Sequence, residues 1–190
     1  DSISQWAYRG ENRDFSYLVD RWEEQDVLND IKNGLIHIIW TGGEPTIPKH
    51  QESILNFSHY AVKNNIFPGY IVKKCRWDNG KFIEKELVVL DQVFYEIETN
   101  GTYVIKPELL DILGQINCSP KLENSGMSKR ARINEEAIES VMSHNNYQFK
   151  FVISNEEDVE EMFRDFIIPF NIPLKNVVCM PGLDEQVDFH

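Results

Sequence analysis

Short apolar segments that alternate with helical patterns constrain this chain most. Residues 35–40, 93–97, 115–118, 148–153 and 176–180 are rich in Val, Ile, Phe and Tyr and read as buried strands. Between them lie helical patterns at 49–64, 107–113, 134–144 and 154–168, with a further one at 23–33 ahead of the first strand. Strand–helix repetition of this kind dictates βαβ units and a parallel sheet. An α/β fold with a parallel sheet is therefore expected, occupying the whole chain as one domain. The exception is 68–90, where β-prone runs at 70–72 and 81–83 flank Asp78-Asn79-Gly80 and predict an inserted β-hairpin. A surface decoration is the expected role of this insertion, with a dimer contact or a reductase dock as alternatives. Segment 121–132, polar and basic, is expected to be a loop.

Each strand ends in a polar or glycine cluster: Thr41-Gly42-Gly43-Glu44, Glu98-Thr99-Asn100-Gly101, Ser119-Pro120-Lys121, Ser154-Asn155 and Pro181-Gly182. For any one of them a cap or turn explains the residues. Taken together they predict a binding face, because ligands of open α/β sheets and βα barrels sit at the carboxyl ends of the strands. The first cluster is the most informative. Two glycines after a strand let a ligand approach the main chain, and Glu44 with nearby carbonyls suits an amino-acid ammonium better than a phosphate.

Composition narrows the partners. With 31 acidic against 19 basic residues the formal net charge is -12, which disfavours broad nucleic-acid or anionic-membrane surfaces. No apolar run approaches the roughly 20 residues of a membrane helix, and no signal peptide is visible at Asp1-Ser2-Ile3-Ser4-Gln5. Three widely separated cysteines, Cys75, Cys118 and Cys179, form no disulfide framework and no metal-binding spacing, and they fit a cytoplasmic setting. His37 lies inside a strand pattern and is expected to be buried and satisfied.

Thr41-Gly42-Gly43-Glu44-Pro45, Glu98-Thr99-Asn100-Gly101-Thr102, Ser119-Pro120-Lys121 and Met180-Pro181 occur in an order that resembles the 7-carboxy-7-deazaguanine synthase family of radical S-adenosylmethionine (SAM) enzymes. The resemblance implies a radical SAM-type partial barrel and a carbon–nitrogen lyase of queuosine and deazapurine biosynthesis. That reaction contracts 6-carboxy-5,6,7,8-tetrahydropterin to 7-carboxy-7-deazaguanine with loss of ammonia. It implies SAM, a 4Fe-4S cluster and Mg2+ as cofactors, and an electron donor such as flavodoxin. A homodimer is an open expectation.

By the same resemblance Thr41 contacts the pterin, and Gly42, Gly43 and Glu44 hold the SAM amino group. Ser119, Pro120 and Lys121 line the SAM site, while Met180 and Pro181 close it. Glu98 is the catalytic candidate, a carboxylate that burial would tune for proton movement. Ser2, followed by Trp6, occupies the place of a magnesium-binding hydroxyl. The chain departs from the family in lacking the C-x3-C-x2-C loop, so it is expected to be a fragment that is inactive alone. Two other readings stay open: another small radical SAM enzyme such as a glycyl-radical activase, and a cluster-free α/β protein that binds a nucleoside.

Overall fold

The structure is a computed structural model that describes residues 13–78 and 81–182. Helices α1 (Phe15–Glu24) and α2 (Leu28–Lys32) precede strand β1 (Ile38–Trp40) and helix α3 (Pro48–Lys63). Strands β2 (Gly69–Asp78), β3 (Lys81–Leu90) and β4 (Tyr95–Thr99) follow, then α4 (Pro107–Leu110), β5 (Gln115–Cys118), α5 (Lys129–Arg132) and α6 (Glu135–Met142). Strand β6 (Tyr147–Ile153), helix α7 (Glu156–Met162), its π-helical continuation Phe163–Ile167, α8 (Ile168–Phe170) and β7 (Val177–Pro181) complete the order.

The expected α/β class is what the chain adopts. Five strands form one sheet in the order β1-β4-β5-β6-β7, and β4, β5, β6 and β7 pair in parallel. The hairpin also forms, with ten antiparallel pairs from Gly69↔Leu90 to Asp78↔Lys81, and its Asn79-Gly80 turn lies outside the described residues. Among the described residues no helix is long and apolar enough to cross a membrane.

The chain divides into two compact units. The first comprises residues 1–38 and 52–95. Its described core joins Phe57, Phe67 and Trp22 by ring contacts, with Phe57–Phe67 centroids 5.9 Å apart and Trp22 stacked on Phe67 at 6.0 Å. Ile54, Ala61, Val62 and Ile31 are buried with them. The second unit comprises residues 39–51 and 96–190. Ile97, Ile116, Cys118, Phe149 and Phe151 are fully buried on one sheet face, and Phe151 meets Phe166 at 5.3 Å between ring centroids. Ala137, Ile138 and Val141 supply the inward stripe of α6, which Asn134 caps by accepting from the Ala137 N–H. Asn155 caps α7 in the same way through the Asp158 N–H.

Several boundaries differ from the sequence pattern. The helix expected over 23–33 is two helices, because the chain turns at Asp26 (φ +56°) and closes α1 with bonds from Gln25, Asp26 and Val27 back to Arg21, Glu23 and Trp22. The strand expected over 35–40 begins only at Ile38. Leu35 and Ile36 both donate their N–H to the Asp30 carbonyl (2.9 and 3.3 Å), so they belong to the turn after α2 and are exposed. His37 is likewise exposed and stacks on Phe94 at 4.2 Å instead of being buried. The helix expected over 107–113 is a single turn, Pro107–Leu110. Segment 121–132 is not a plain loop: it contains a 3-10 turn, Glu123–Ser125, and α5, and its Arg132 is 3% exposed.

Candidate functional site

The site is built at the carboxyl ends of the strands in the second unit, and a buried carboxylate organises it. Glu44 is 8% exposed and turns inward from the Gly42-Gly43 turn. Its Oε1 accepts from the Thr46 N–H (3.0 Å), the Thr46 hydroxyl and the Thr99 hydroxyl (2.7 Å), and its Oε2 accepts from the Asn100 N–H (2.8 Å). A carboxylate oxygen has about two lone pairs to offer, so Oε1 is saturated within the protein. Glu44 therefore braces the turn against the end of β4.

The backbone of this turn is open. Gly42 (φ +87°) and Gly43 (φ +60°) are exposed in left-handed conformations, and a Cβ on either would meet no atom within 4 Å. The space in front of these two residues is open, so side-chain-free main chain is accessible there. Behind it, His50 Nδ1 lies 2.8 Å from the Glu44 carbonyl. Gln51, 1% exposed, donates to the carbonyls of Thr46 (2.5 Å) and Val104 (2.8 Å) and accepts from the Lys106 N–H (2.7 Å).

The Glu-Thr-Asn-Gly-Thr strand end has two jobs. Thr99 and Asn100 bond Glu44 as described. Asn100 Oδ1 also accepts from the Thr102 N–H (2.9 Å) and hydroxyl (2.6 Å), an Asx turn. Gly101 (φ +74°) is required because a Cβ there would sit 2.7 Å from Cys118 Sγ. Only Glu98 leaves this framework. It projects from the opposite sheet face, where Thr41 Oγ1 donates to Glu98 Oε2 (3.3 Å) and Lys150 Nζ lies 3.8 Å from Glu98 Oε1. The Glu98 side chain is 47% exposed rather than buried.

Ser119 and Pro120 follow β5 directly, and the Ser119 N–H bonds the Thr99 carbonyl (2.7 Å), which fastens this turn to the previous strand end. Pro120 is buried, whereas Lys121 is exposed with its carbonyl held by Arg132 Nη1 at 3.4 Å. Arg132 also pairs with the buried Glu161, and Glu161 Oε2 accepts from the Glu123 N–H (2.9 Å). Sequence reasoning missed Gln51, Arg132, Glu161 and Lys150, since none belongs to a motif and each acquires its partner through the fold. Met180 and Pro181 end β7, and the Gly182 N–H bonds the Ile153 carbonyl at 2.8 Å. Ser2 and Trp6 lie outside the described residues.

The cysteines do not fit an iron–sulfur cluster. Cys75 is exposed in the hairpin opposite Glu84, and Cys179 is exposed 4.0 Å from Met162 Sδ. Cys118 is fully buried, and that burial, reinforced by the Glu44 charge, pushes its thiol up and keeps it protonated. Cluster ligands are thiolates. Cys118 and Cys179 also lie on strands separated by β6, hence about 10 Å apart at ordinary strand spacing. Among the described residues no group of three or more His, Cys, Asp or Glu side chains could hold a metal ion.

The chain is 37% identical over 169 residues to a 7-carboxy-7-deazaguanine synthase of Pyrobaculum aerophilum, an alignment that covers 88% of this chain and 60% of that protein. It resembles this synthase along most of its own length. The motif-based resemblance is thus matched by an overall one. No family model matches the chain, and no solved structure matches it. The chain spans 60% of the length of its curated relative, so the activity of the complete relative does not pass to it directly.

Proposed function

We propose that this chain carries the SAM- and substrate-binding part of a 7-carboxy-7-deazaguanine synthase, which converts 6-carboxy-5,6,7,8-tetrahydropterin to 7-carboxy-7-deazaguanine with loss of ammonia. The observation that carries this reading is the 37% identity to a synthase of that name, in a chain whose Gly42-Gly43 cradle and Glu98 project from strand ends. The open glycine backbone fits the methionine end of SAM, with Ser119, Pro120, Lys121, Met180 and Pro181 as its further wall. When bound, SAM supplies radical chemistry that no side chain can.

The chain's own residues orient and hold. Gly42 and Gly43 offer main-chain groups without side-chain obstruction. Glu44 fixes their conformation, and Thr41 and Glu98 present a hydroxyl and a carboxylate to the substrate. Glu98 is half exposed beside Thr41, within reach of a ligand on that face. The cysteines do not accommodate a cluster, and no step is assigned through one. A cytoplasmic setting and an external one-electron donor of the flavodoxin type accompany this reading, and Ser2 remains its magnesium candidate.

Equilibrium dialysis of the purified chain with SAM, and with ATP as the competing nucleoside, tests the binding reading. Saturable SAM binding that S-adenosylhomocysteine displaces and ATP does not is the expected result. Equal binding of ATP and SAM would overturn it in favour of a general nucleoside-binding protein. Anaerobic incubation with iron and sulfide is expected to leave the chain without 4Fe-4S absorbance and without turnover of the carboxypterin.

A further inference from the structure

The strand register places Glu96, Glu98, Gln115, Asn117, Gln148, Lys150, Val152, Val178 and Met180 on one face of β4, β5, β6 and β7, opposite the buried aromatic face. Parallel sheets are ordinarily covered and apolar on both faces, and this face, with two carboxylates, three amides and a lysine, departs from that pattern. Its amides are already arranged: Asn117 Nδ2 donates to Glu96 Oε2 (3.0 Å), and Gln115 Nε2 donates to Asn117 Oδ1 (2.9 Å).

Charge on this face is uneven. Glu96 and Glu98 are carboxylates, and Lys150 is the single cation among these nine register positions. An anionic ligand entering a chain of net charge -12 meets repulsion from both carboxylates unless a cation receives it. The Lys150 side chain, 26% exposed, approaches Glu98 Oε1 only to 3.8 Å, beyond hydrogen-bond distance. Its ammonium is therefore held near Glu98 by charge, without a hydrogen bond to that carboxylate.

We propose that Lys150 binds the carboxylate of a heterocyclic acid seated on this face, with Glu98 holding the ammonium in position. This rests on the pterin reading above and adds the residue that recognises the acid group. The chemistry is a charge-assisted bond from an ammonium to a carboxylate, strengthened where the ligand excludes water.

The test uses the purified chain and two fluorescent probes, 6-carboxypterin and pterin lacking the carboxyl group. Wild-type protein is expected to bind 6-carboxypterin at least tenfold more tightly than pterin. Lys150→Met should abolish that preference without changing affinity for pterin, and Lys150→Arg should retain most of it. A preference that survives in Lys150→Met overturns the assignment of Lys150 while leaving the pterin reading intact. Failure of the wild-type chain to bind either probe overturns both. Circular dichroism and thermal unfolding of each variant separate a lost contact from a lost fold.

Discussion

Replacing Glu44 by Ala tests whether one buried carboxylate assembles the site. The substitution leaves the Thr46 and Asn100 N–H groups without their acceptor, at 3.0 and 2.8 Å from where Glu44 Oε1 and Oε2 stood. The hydroxyls of Thr46 and Thr99 lie 3.1 Å apart and can satisfy each other, so they add little to the cost. Each orphaned donor costs about 1–3 kcal/mol. The desolvation relieved by removing a charge offsets part of this, leaving a loss of about 2–4 kcal/mol. Urea unfolding monitored at several probes should place the second unit's transition at lower denaturant in Glu44→Ala. Native-state hydrogen exchange should show the Thr46 and Asn100 amides losing protection first. Glu44→Gln should fall between, because one oxygen persists but an amide NH2 then faces a donor. A Glu44→Ala protein within 0.5 kcal/mol of wild type, with both amides still protected, would refute the reasoning, since a solvent-facing ligand carboxylate would behave that way.

Removing Glu161 alone strands the buried Arg132 charge and should cost about 3–5 kcal/mol, whereas Arg132→Met with Glu161→Leu should recover much of it in urea titrations. Gly43→Val should lower the unfolding free energy by about 1–2 kcal/mol, the cost of a left-handed side chain. Because that side chain would occupy the open cradle, SAM affinity should fall at least tenfold in dialysis. Gly101→Ala should be the more damaging to stability, because its methyl would meet Cys118 Sγ. Asp165 is opposed by its own burial, yet its bonds to Arg164 and Lys129 lower its pKa below the ordinary value. A lowered folded-state pKa stabilises above the unfolded value of about 3.9 and loses that contribution as pH falls through the folded value. Asp165→Asn should therefore be less stable than wild type at pH 7, and the gap should close as urea curves are repeated at pH 4 and below.

The strands and their terminal clusters were legible in the sequence for a local reason. β-branched runs ending in Gly, Asn, Ser or Pro leave few conformations other than strand and turn, and Asn79-Gly80 between two such runs leaves little but a hairpin. Apolar character misled where burial was not local: Leu35 and Ile36 look like strand interior, but both are tied to Asp30 in an exposed turn. The reverse held for Arg132, whose basic neighbourhood suggested solvent but whose partner, Glu161, comes from a helix 29 residues on and can bury it. The sequence by itself determined the α/β class, the hairpin and the Gly42-Gly43 turn, because each depends on backbone preferences within a few residues. Only the tertiary structure decided that Glu44 faces inward as a brace, that Glu98 is half exposed, and that Lys150 stands beside it. Those outcomes depend on which strand neighbours which and on the two-residue alternation of side chains across a parallel register, information that no single segment contains.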